Sequence, residues 1–431
     1  MIDLNDLRAR PDAYKKAAKD KNITIDIDAL LKLDDERKAL IPGIEHARSL
    51  QNEANKLIPT LKGDEKQEQL KELKAKSLEL KALEAELKNV EEPWKEMQLM
   101  LPSIPLDRVP VGKDDSENVE VFKWGDPSTA LRVPADAAKD HITLGENLDM
   151  LDFKRAATVG GSRSYYLKGE GARLQQALMR YTMDHLHSKG WTLFCPPLMA
   201  NFEAFMGTGF FPGADQNNIY SLDDGLYLIG TSEVTVCSYH RDEILKEEDL
   251  PKRYAGYSAC FRREAGSYGK DTKGLYRVHQ FEKVEQVVLC KADQEEAMKM
   301  FEEIRQNAEE VLQALKLPYR IIDVCTGDMG KGKVFMQDIE TWMPSRGSYG
   351  ETHSCSYLGD FQARRLNMRY EESGSGGAPV ARRYVHTLNN TCIASPRILI
   401  PIMEIYQNAD GSITVPEVLR PYMGGLERIE K

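Results

Sequence analysis

Between Asp28 and Met100 apolar residues recur at heptad spacing and glycine nearly vanishes. Leu73, Leu80, Leu87 and Trp94 share one position of the repeat, and Leu83, Val90 and Met97 fill the interleaved one. A narrow apolar seam between charged faces predicts a long helix. Upstream, Leu33, Leu40, Ala47 and Ala54 repeat the period, joined by Leu30, Ile44 and Leu57. The segment Ile58-Pro59-Thr60-Leu61-Lys62-Gly63-Asp64 interrupts the seams: Pro and Gly stop one helix, and Asp64 is placed to cap the next. The expected unit is an antiparallel coiled-coil hairpin, with Pro42-Gly43 kinking the first helix or splitting it. Its mixed charge suits an oligomerisation coil and a binding arm equally.

From Leu101 to about Pro134, Pro and Asp are frequent, and the pattern predicts a linker. Beyond it, short β-rich runs alternate with Gly loops. Strands are expected at Leu226–Ile229, Tyr257–Phe261, Lys283–Leu289 and Val334–Trp342, and helices at Ala172–Lys189, Gln294–Leu315 and Ser395–Glu404. Strands follow one another through hairpin-like loops more often than through crossover helices, which predicts an antiparallel α+β sheet rather than a doubly wound one. The expected domains are a helical arm over 1–104 and a sheet domain over 105–431.

Composition narrows the class. With 431 residues, 41% hydrophobic and 29% charged, the chain has material for a sizeable core under a charged surface. No apolar run approaches bilayer length, and the first residues lack the basic-then-apolar order of a signal peptide, so a cytoplasmic protein without a membrane partner is expected. A net charge of -10 excludes a wholesale basic coat, so any nucleic-acid contact must be local. The seven cysteines are scattered singly, without a C-x-x-C pair, and reduced thiols are expected.

Two segments carry candidate chemistry. Gly327-Asp-Met-Gly-Lys-Gly332-Lys333 matches the start of a P-loop, but Val334 stands where a magnesium-binding hydroxyl is needed, and a strand is expected to follow. A Gly/Lys turn is the better reading. The run from Tyr257 to Glu285 is different: two alternating apolar stretches flank a loop dense in Arg, Lys, Gly and aromatics. Arg262 offers a planar donor fork for a phosphate, Phe281 a face for a purine, and Glu264 and Glu285 acceptors for amino groups. A solvated hairpin with a basic tip would account for the loop alone.

The stretch Phe261-Arg262-Arg263-Glu264-Ala265-Gly266 through Arg277-Val-His279-Gln280-Phe281-Glu282-Lys283-Val-Glu285 resembles motif 2 of the seryl-tRNA synthetases nearly position by position. Gly230-Thr231-Ser232-Glu233 is similar to that family's Thr-x-Glu loop. The run from Glu351 to Ser354-Cys355-Ser and Asp360-Phe361-Gln362-Ala363-Arg364-Arg365 is similar to its Glu-x-x-Ser-Cys-Ser and Asp-Phe-Gln-Ala-Arg-Arg signatures. His185 to Pro197 resembles motif 1, His386 to Arg397 motif 3, and the hairpin the tRNA-binding arm of the bacterial-type architecture.

The resemblance implies a class II synthetase antiparallel sheet with flanking helices, binding ATP with Mg²⁺. It implies activation of L-serine to seryl-adenylate and transfer to the 3′-terminal ribose of tRNA(Ser), by a homodimer built through motif 1. Arg262 and Arg397 match the catalytic arginines on the α- and γ-phosphates. Thr231, Ser232, Glu233, Arg262, Glu285, Asn389 and Thr391 match the serine site. Arg262, Arg263, Glu264, Phe281, Glu351, Thr352, His353, Ser354 and Arg397 match the ATP site, with Glu351 and Ser354 holding the metal. The tRNA would meet the arm and the motif 2 loop.

Bacterial members usually read Asn-Gly-Ser and Val-Gly-Arg in motif 3, where this chain has Asn389-Asn390-Thr391 and Ser395-Pro396-Arg397. Thr391 keeps the hydroxyl, and Pro396 fits a first helical turn if Ala394 or Ser395 caps it. A ligase that loads a carrier protein is disfavoured by the long hairpin. A non-catalytic synthetase-like protein is disfavoured by the presence of Arg262, Glu285, Glu351 and Arg397. Zinc is not expected, since His353 and Cys355 belong to no set at ligand spacing.

Overall fold

Heptad spacing becomes two long helices. The computed structural model describes residues 2–134, 136–212, 214–265, 273–372 and 381–431. Contacts divide it into two compact units, Met1–Pro102 and Ser103–Lys431. In the first, short helices α1 (Leu4–Ala9) and α2 (Pro11–Asp20) precede α3 (Ile27–Leu57) and α4 (Gly63–Met100). Leu30, Ile44, Ala47, Leu80 and Trp94 are buried, with Leu83 and Leu87 packed beside them. Arg37 with Glu91 at 3.1 Å and Arg48 with Glu84 at 2.8 Å tie the pair in antiparallel register. Towards the tip the seam thins, and Leu57, Leu70 and Leu78 are exposed.

Two expectations for this unit are corrected. Helix α3 runs unbroken through Pro42. Pro42 and Gly43 lie on the exposed side, so the carbonyl left without its amide partner faces water, while Ile44 and Ala47 stay packed on α4. Asp64 sits in the first turn of α4 rather than capping it; Lys62 is the cap residue, without a side-chain cap bond.

The second unit is organised by an eight-stranded sheet. Its strands are β1 (Val119–Trp124), β2 (Thr192–Phe194), β3 (Lys252–Phe261), β4 (Gln280–Cys290), β5 (Tyr319–Asp323), β6 (Phe335–Met343), β7 (Ser348–Gly359) and β8 (His386–Ser395). They lie in the order β1-β5-β6-β7-β8-β4-β3-β2, antiparallel except where β2 joins β3. The expected linker is thereby corrected: residues 119–124 pair with β5 as an edge strand, and Ser103 N–H bonds the Lys331 carbonyl. Strand β1 is almost wholly exposed and so carries no burial alternation for a sequence reading to detect.

Alternation along β4 sorts the two faces. Val284 and Val288 join a core with α6 (Gly169–Ser188) and α8 (Gln294–Ala314), where Leu174, Leu178, Phe301, Ile304 and Ala308 are buried. Val287 and Leu289 turn the other way, against Val236 and Cys237 of α7 (Glu233–Cys237) and Ala363 and Leu366 of α9 (Phe361–Leu366). Covered on both faces, β4 is buried from Lys283 to Cys290. Helix α5 (His141–Asn147) packs on α10 (Leu399–Ile405), the helix that follows β8.

Candidate active site

Register between β8 and β4 places Thr391 opposite Glu285, and antiparallel partners point to the same face. The Thr391 hydroxyl donates to Glu285 Oε2 at 3.3 Å, and the Lys283 ammonium pairs with the same carboxylate. Asn389 lies on this face by alternation. Asn390 turns to the reverse, where Nδ2 donates to the Ile304 carbonyl at 2.6 Å. The departure at Asn390 therefore touches α8 rather than the pocket.

Glu233 enters from the start of α7. Its amide donates to Thr231 Oγ1 at 3.2 Å, and its Oε1 accepts from Gln362 Nε2 at 2.7 Å. Burial, and then the charge of Glu285, push the Glu233 carboxyl up to about 7. Gln362 is held in turn by Thr387 Oγ1 at 2.7 Å and by the Thr208 carbonyl at 3.1 Å. Ser232 departs from the expected serine site: fully buried, it donates to the Gly256 carbonyl at 3.0 Å. A Cβ at Gly256 would come within 2.7 Å of Ser232 Oγ, so glycine is what lets α7 approach β3 this closely.

Next to Thr231, Arg262 lies over Phe281, guanidinium carbon to ring centroid 5.1 Å, and its Nε donates to the Gly230 carbonyl at 3.2 Å. Arg263 lies over Tyr220 at 5.0 Å, and Glu264 pairs with Arg277 at 3.6 Å. Residues 266–272, the tip of the motif 2 loop, lie outside the described residues.

Glu351 and Ser354 are three apart, which would put them on opposite faces of a regular strand. A register shift between Ile339 and Glu340 leaves Thr352 as the extra residue of a bulge, which restores both to the side of Asp338, the partner of Ser354. The side chains of Thr352 and His353 correspondingly turn into the core. Thr352 Oγ1 bonds Thr341 Oγ1 at 2.7 Å, and burial pushes the His353 ring down to about 3. Neither side chain is on the face expected for the ATP site. Asp338 is a residue the sequence reading missed: Oδ1 is buried without a hydrogen-bond partner, and burial with the charge of Glu351 holds the carboxyl well above its usual range.

Arg397 Nη1 donates to the Glu351 carbonyl at 2.8 Å and lies 3.7 Å from its carboxylate. Pro396 sits in the turn between β8 and α10, not in a first helical turn, because Ser395 still belongs to the strand and Ile398 is the cap residue. Cys355 is buried, with Sγ towards the Phe301 carbonyl. Among the described residues no group of three or more His, Cys, Asp or Glu side chains converges for a metal. Among the described residues, no helix is long and apolar enough to cross a membrane.

Residues 218–406 match the model of the tRNA synthetase class II core domain (G, H, P, S and T), and residues 1–105 match that of the seryl-tRNA synthetase N-terminal domain. A serine–tRNA ligase of Deinococcus radiodurans is 47% identical over 99% of this chain and 98% of its own length. One of Symbiobacterium thermophilum is 43% identical over 100% of both. Seryl-tRNA synthetase of Pyrococcus horikoshii, solved with ATP, superposes with a TM-score of 0.85 at 37% identity, covering 100% of this chain and 99% of that one. The cytoplasmic serine–tRNA ligase of Naegleria fowleri, solved with AMP, gives 0.80 at 30% identity, with 97% and 95% covered.

Proposed function

Because the chain belongs to the seryl-tRNA synthetases, we infer that its central face joins L-serine to ATP and passes the seryl group to tRNA(Ser). The protein is a serine–tRNA ligase, a class II aminoacyl-tRNA synthetase. In the first step a serine carboxylate oxygen bonds to the α-phosphorus of ATP while the bond to the β-phosphate bridging oxygen breaks, releasing pyrophosphate. No general base is needed, since the nucleophile is already an anion. In the second step the terminal ribose hydroxyl attacks the adenylate carbonyl and AMP leaves.

The observation that carries this reading is the Thr391–Glu285–Glu233 cluster beside Arg262. Thr391 and Glu285 take the substrate hydroxyl, and Glu233 with Thr231 and Asn389 the ammonium. Arg262 meets the serine carboxylate and the α-phosphate as charge builds there, and Arg397 the γ-phosphate. Phe281 supports the adenine, with Arg263 and Glu264 at its rim. Glu351 and Ser354 would hold Mg²⁺; the unpartnered, buried Asp338 oxygen beside them makes an oxygen-rich donor set that fits a hard cation. When bound, the ion would neutralise phosphate charge.

Outside the site, the arm over 1–104 and the motif 2 loop are assigned to tRNA, and the sheet domain over 105–431 to chemistry in the cytoplasm. A homodimer through the segment from His185 to Pro197 is supported by the exposed Leu193, Leu198 and Met199 that follow helix α6. The deciding experiment is serine-dependent exchange of pyrophosphate into ATP. Exchange stimulated equally by serine and threonine would refute the pocket assignment.

A further inference from the structure

The carboxylate of Glu404, on α10 and fully buried, accepts from four donors. These are His141 N–H at 3.0 Å, His141 Nδ1 at 2.9 Å, Ser345 N–H at 2.9 Å and Ser345 Oγ at 2.7 Å. The far side of the His141 ring faces the chain leaving the motif 2 loop, where Leu275 N–H lies 3.3 Å from Nε2. An amide can only donate, so Nε2 carries the lone pair and the proton sits on Nδ1, facing Glu404. Gly274 makes the approach possible: its φ is +76°, and a Cβ there would lie 2.4 Å from Nε2.

What this contact holds is the next residue. The Tyr276 carbonyl accepts from Arg397 Nε at 3.0 Å, and two guanidinium groups lie against its ring, Arg397 at 4.4 Å and Arg346 at 4.2 Å from the centroid. Arg346 follows Ser345, itself bound to Glu404. One buried carboxylate thus anchors the cluster of Tyr276, Arg346 and Arg397 along two routes: directly through Ser345, and through the His141 ring and Leu275.

We propose that His141 is a positioning residue for Arg397, its ring transmitting the fixed location of Glu404 to the Leu275–Tyr276 backbone on which the Arg397 side chain is laid out. Nothing in the sequence pattern marks His141 for this, because its partners are 263 and 134 residues away. The inference rests on the reading of Arg397 as a phosphate-binding residue.

Two substitutions separate the ring's nitrogens. His141→Gln places an oxygen near Nε2 and keeps an acceptor for Leu275; His141→Asn places an amide N–H near Nδ1 and keeps only the donor to Glu404. Transmission through Leu275 predicts that H141N raises KM for ATP about tenfold, the value of roughly one hydrogen bond. KM for serine stays within about twofold, and H141Q recovers most of the loss. The reverse ranking, or equal rises in both KM values, would overturn the proposal, as would an unchanged H141N.

Hydrogen exchange at the Leu275 amide gives a second readout: protection in the unsubstituted protein and in H141Q, and exchange about tenfold faster in H141N. Fast exchange in the unsubstituted protein overturns the contact even if neither variant folds. Absence of serine-dependent pyrophosphate exchange in the unsubstituted protein would instead defeat the ATP reading of Arg397, leaving the Leu275 result as it stands.

Discussion

Thr391 Oγ1 donates to Glu285 Oε2 across the β8–β4 pair, 3.3 Å apart, with Lys283 on the same carboxylate. Hydroxyl, carboxylate and ammonium are all buried, so each is tied to its neighbours rather than to water. A substrate hydroxyl entering this cluster can be matched; a methyl group in its place strands polar atoms.

Replacing Thr391 by Val keeps the shape of the side chain and removes its hydroxyl. Serine kcat/KM in pyrophosphate exchange is expected to fall about 10- to 100-fold, corresponding to about 1–3 kcal/mol. The preference for serine over alanine narrows with it. An unchanged serine-to-alanine ratio would remove Thr391 from the pocket.

Glu233 sets a pH dependence. An ordinary glutamate ionises near 4.5, whereas in the folded protein this one does so at about 7. Between those values the folded chain keeps a proton the unfolded chain has lost, so the ligand-free protein loses stability as pH rises from 4.5 towards 7, and no further above it. A serine ammonium favours the ionised form, so binding below about pH 7 releases a proton. KM for serine should fall as pH rises through that point and then level. Gln362 holds the carboxyl down, so Gln362→Leu should move the inflection upward, and Glu233→Gln should abolish it. A KM profile unchanged in Glu233→Gln would assign the titration elsewhere.

Arg262→Ala removes the fork over Phe281 while leaving the β3–β4 pairing in place. Adenylate formation is expected to drop about 10²- to 10³-fold, the usual cost of losing one preorganised donor to developing charge. Thermal melting should stay within a few degrees. A rate near the original once corrected for folded protein, with a lowered melting temperature, would make Arg262 structural.

Sequence patterning located what is periodic or locally contiguous. The arm follows from its heptads, and helix Gln294–Ala314 and the inner strands from their apolar runs. The exposed edge strand β1 was illegible because nothing in it is buried on one face. Site residues split the same way. Glu285 and Thr391 meet through strand register, whereas the placement of Ser354 beside Glu351 depends on a bulge at Thr352 that spacing alone would argue against. Ser232, Thr352 and His353 sit inside matched motifs yet turn into the protein, since a motif names positions and not the direction of a side chain. Asp338 and His141 gained their places only from long-range contacts.

Helix α3 has 31 residues, on the order of 45 Å at 1.5 Å each, and its far end holds little apolar packing. Lys56, Lys62 and Lys66 are exposed there, where the seam has thinned and their substitution costs little stability. Exposed cations on a distal tip suit contact with an RNA backbone, read by shape rather than base sequence. Replacing all three by Glu should therefore leave serine-dependent pyrophosphate exchange intact and weaken charging of tRNA(Ser). The salt dependence of charging should also flatten, by about 0.7–0.9 in log–log slope for each phosphate that is no longer neutralised. An oligomerisation coil would behave otherwise: repulsion at the tip would lower dimer content and reduce exchange and charging together. Sedimentation alongside the two assays separates the cases, and unchanged charging at all salt concentrations would show that the tip does not meet the RNA.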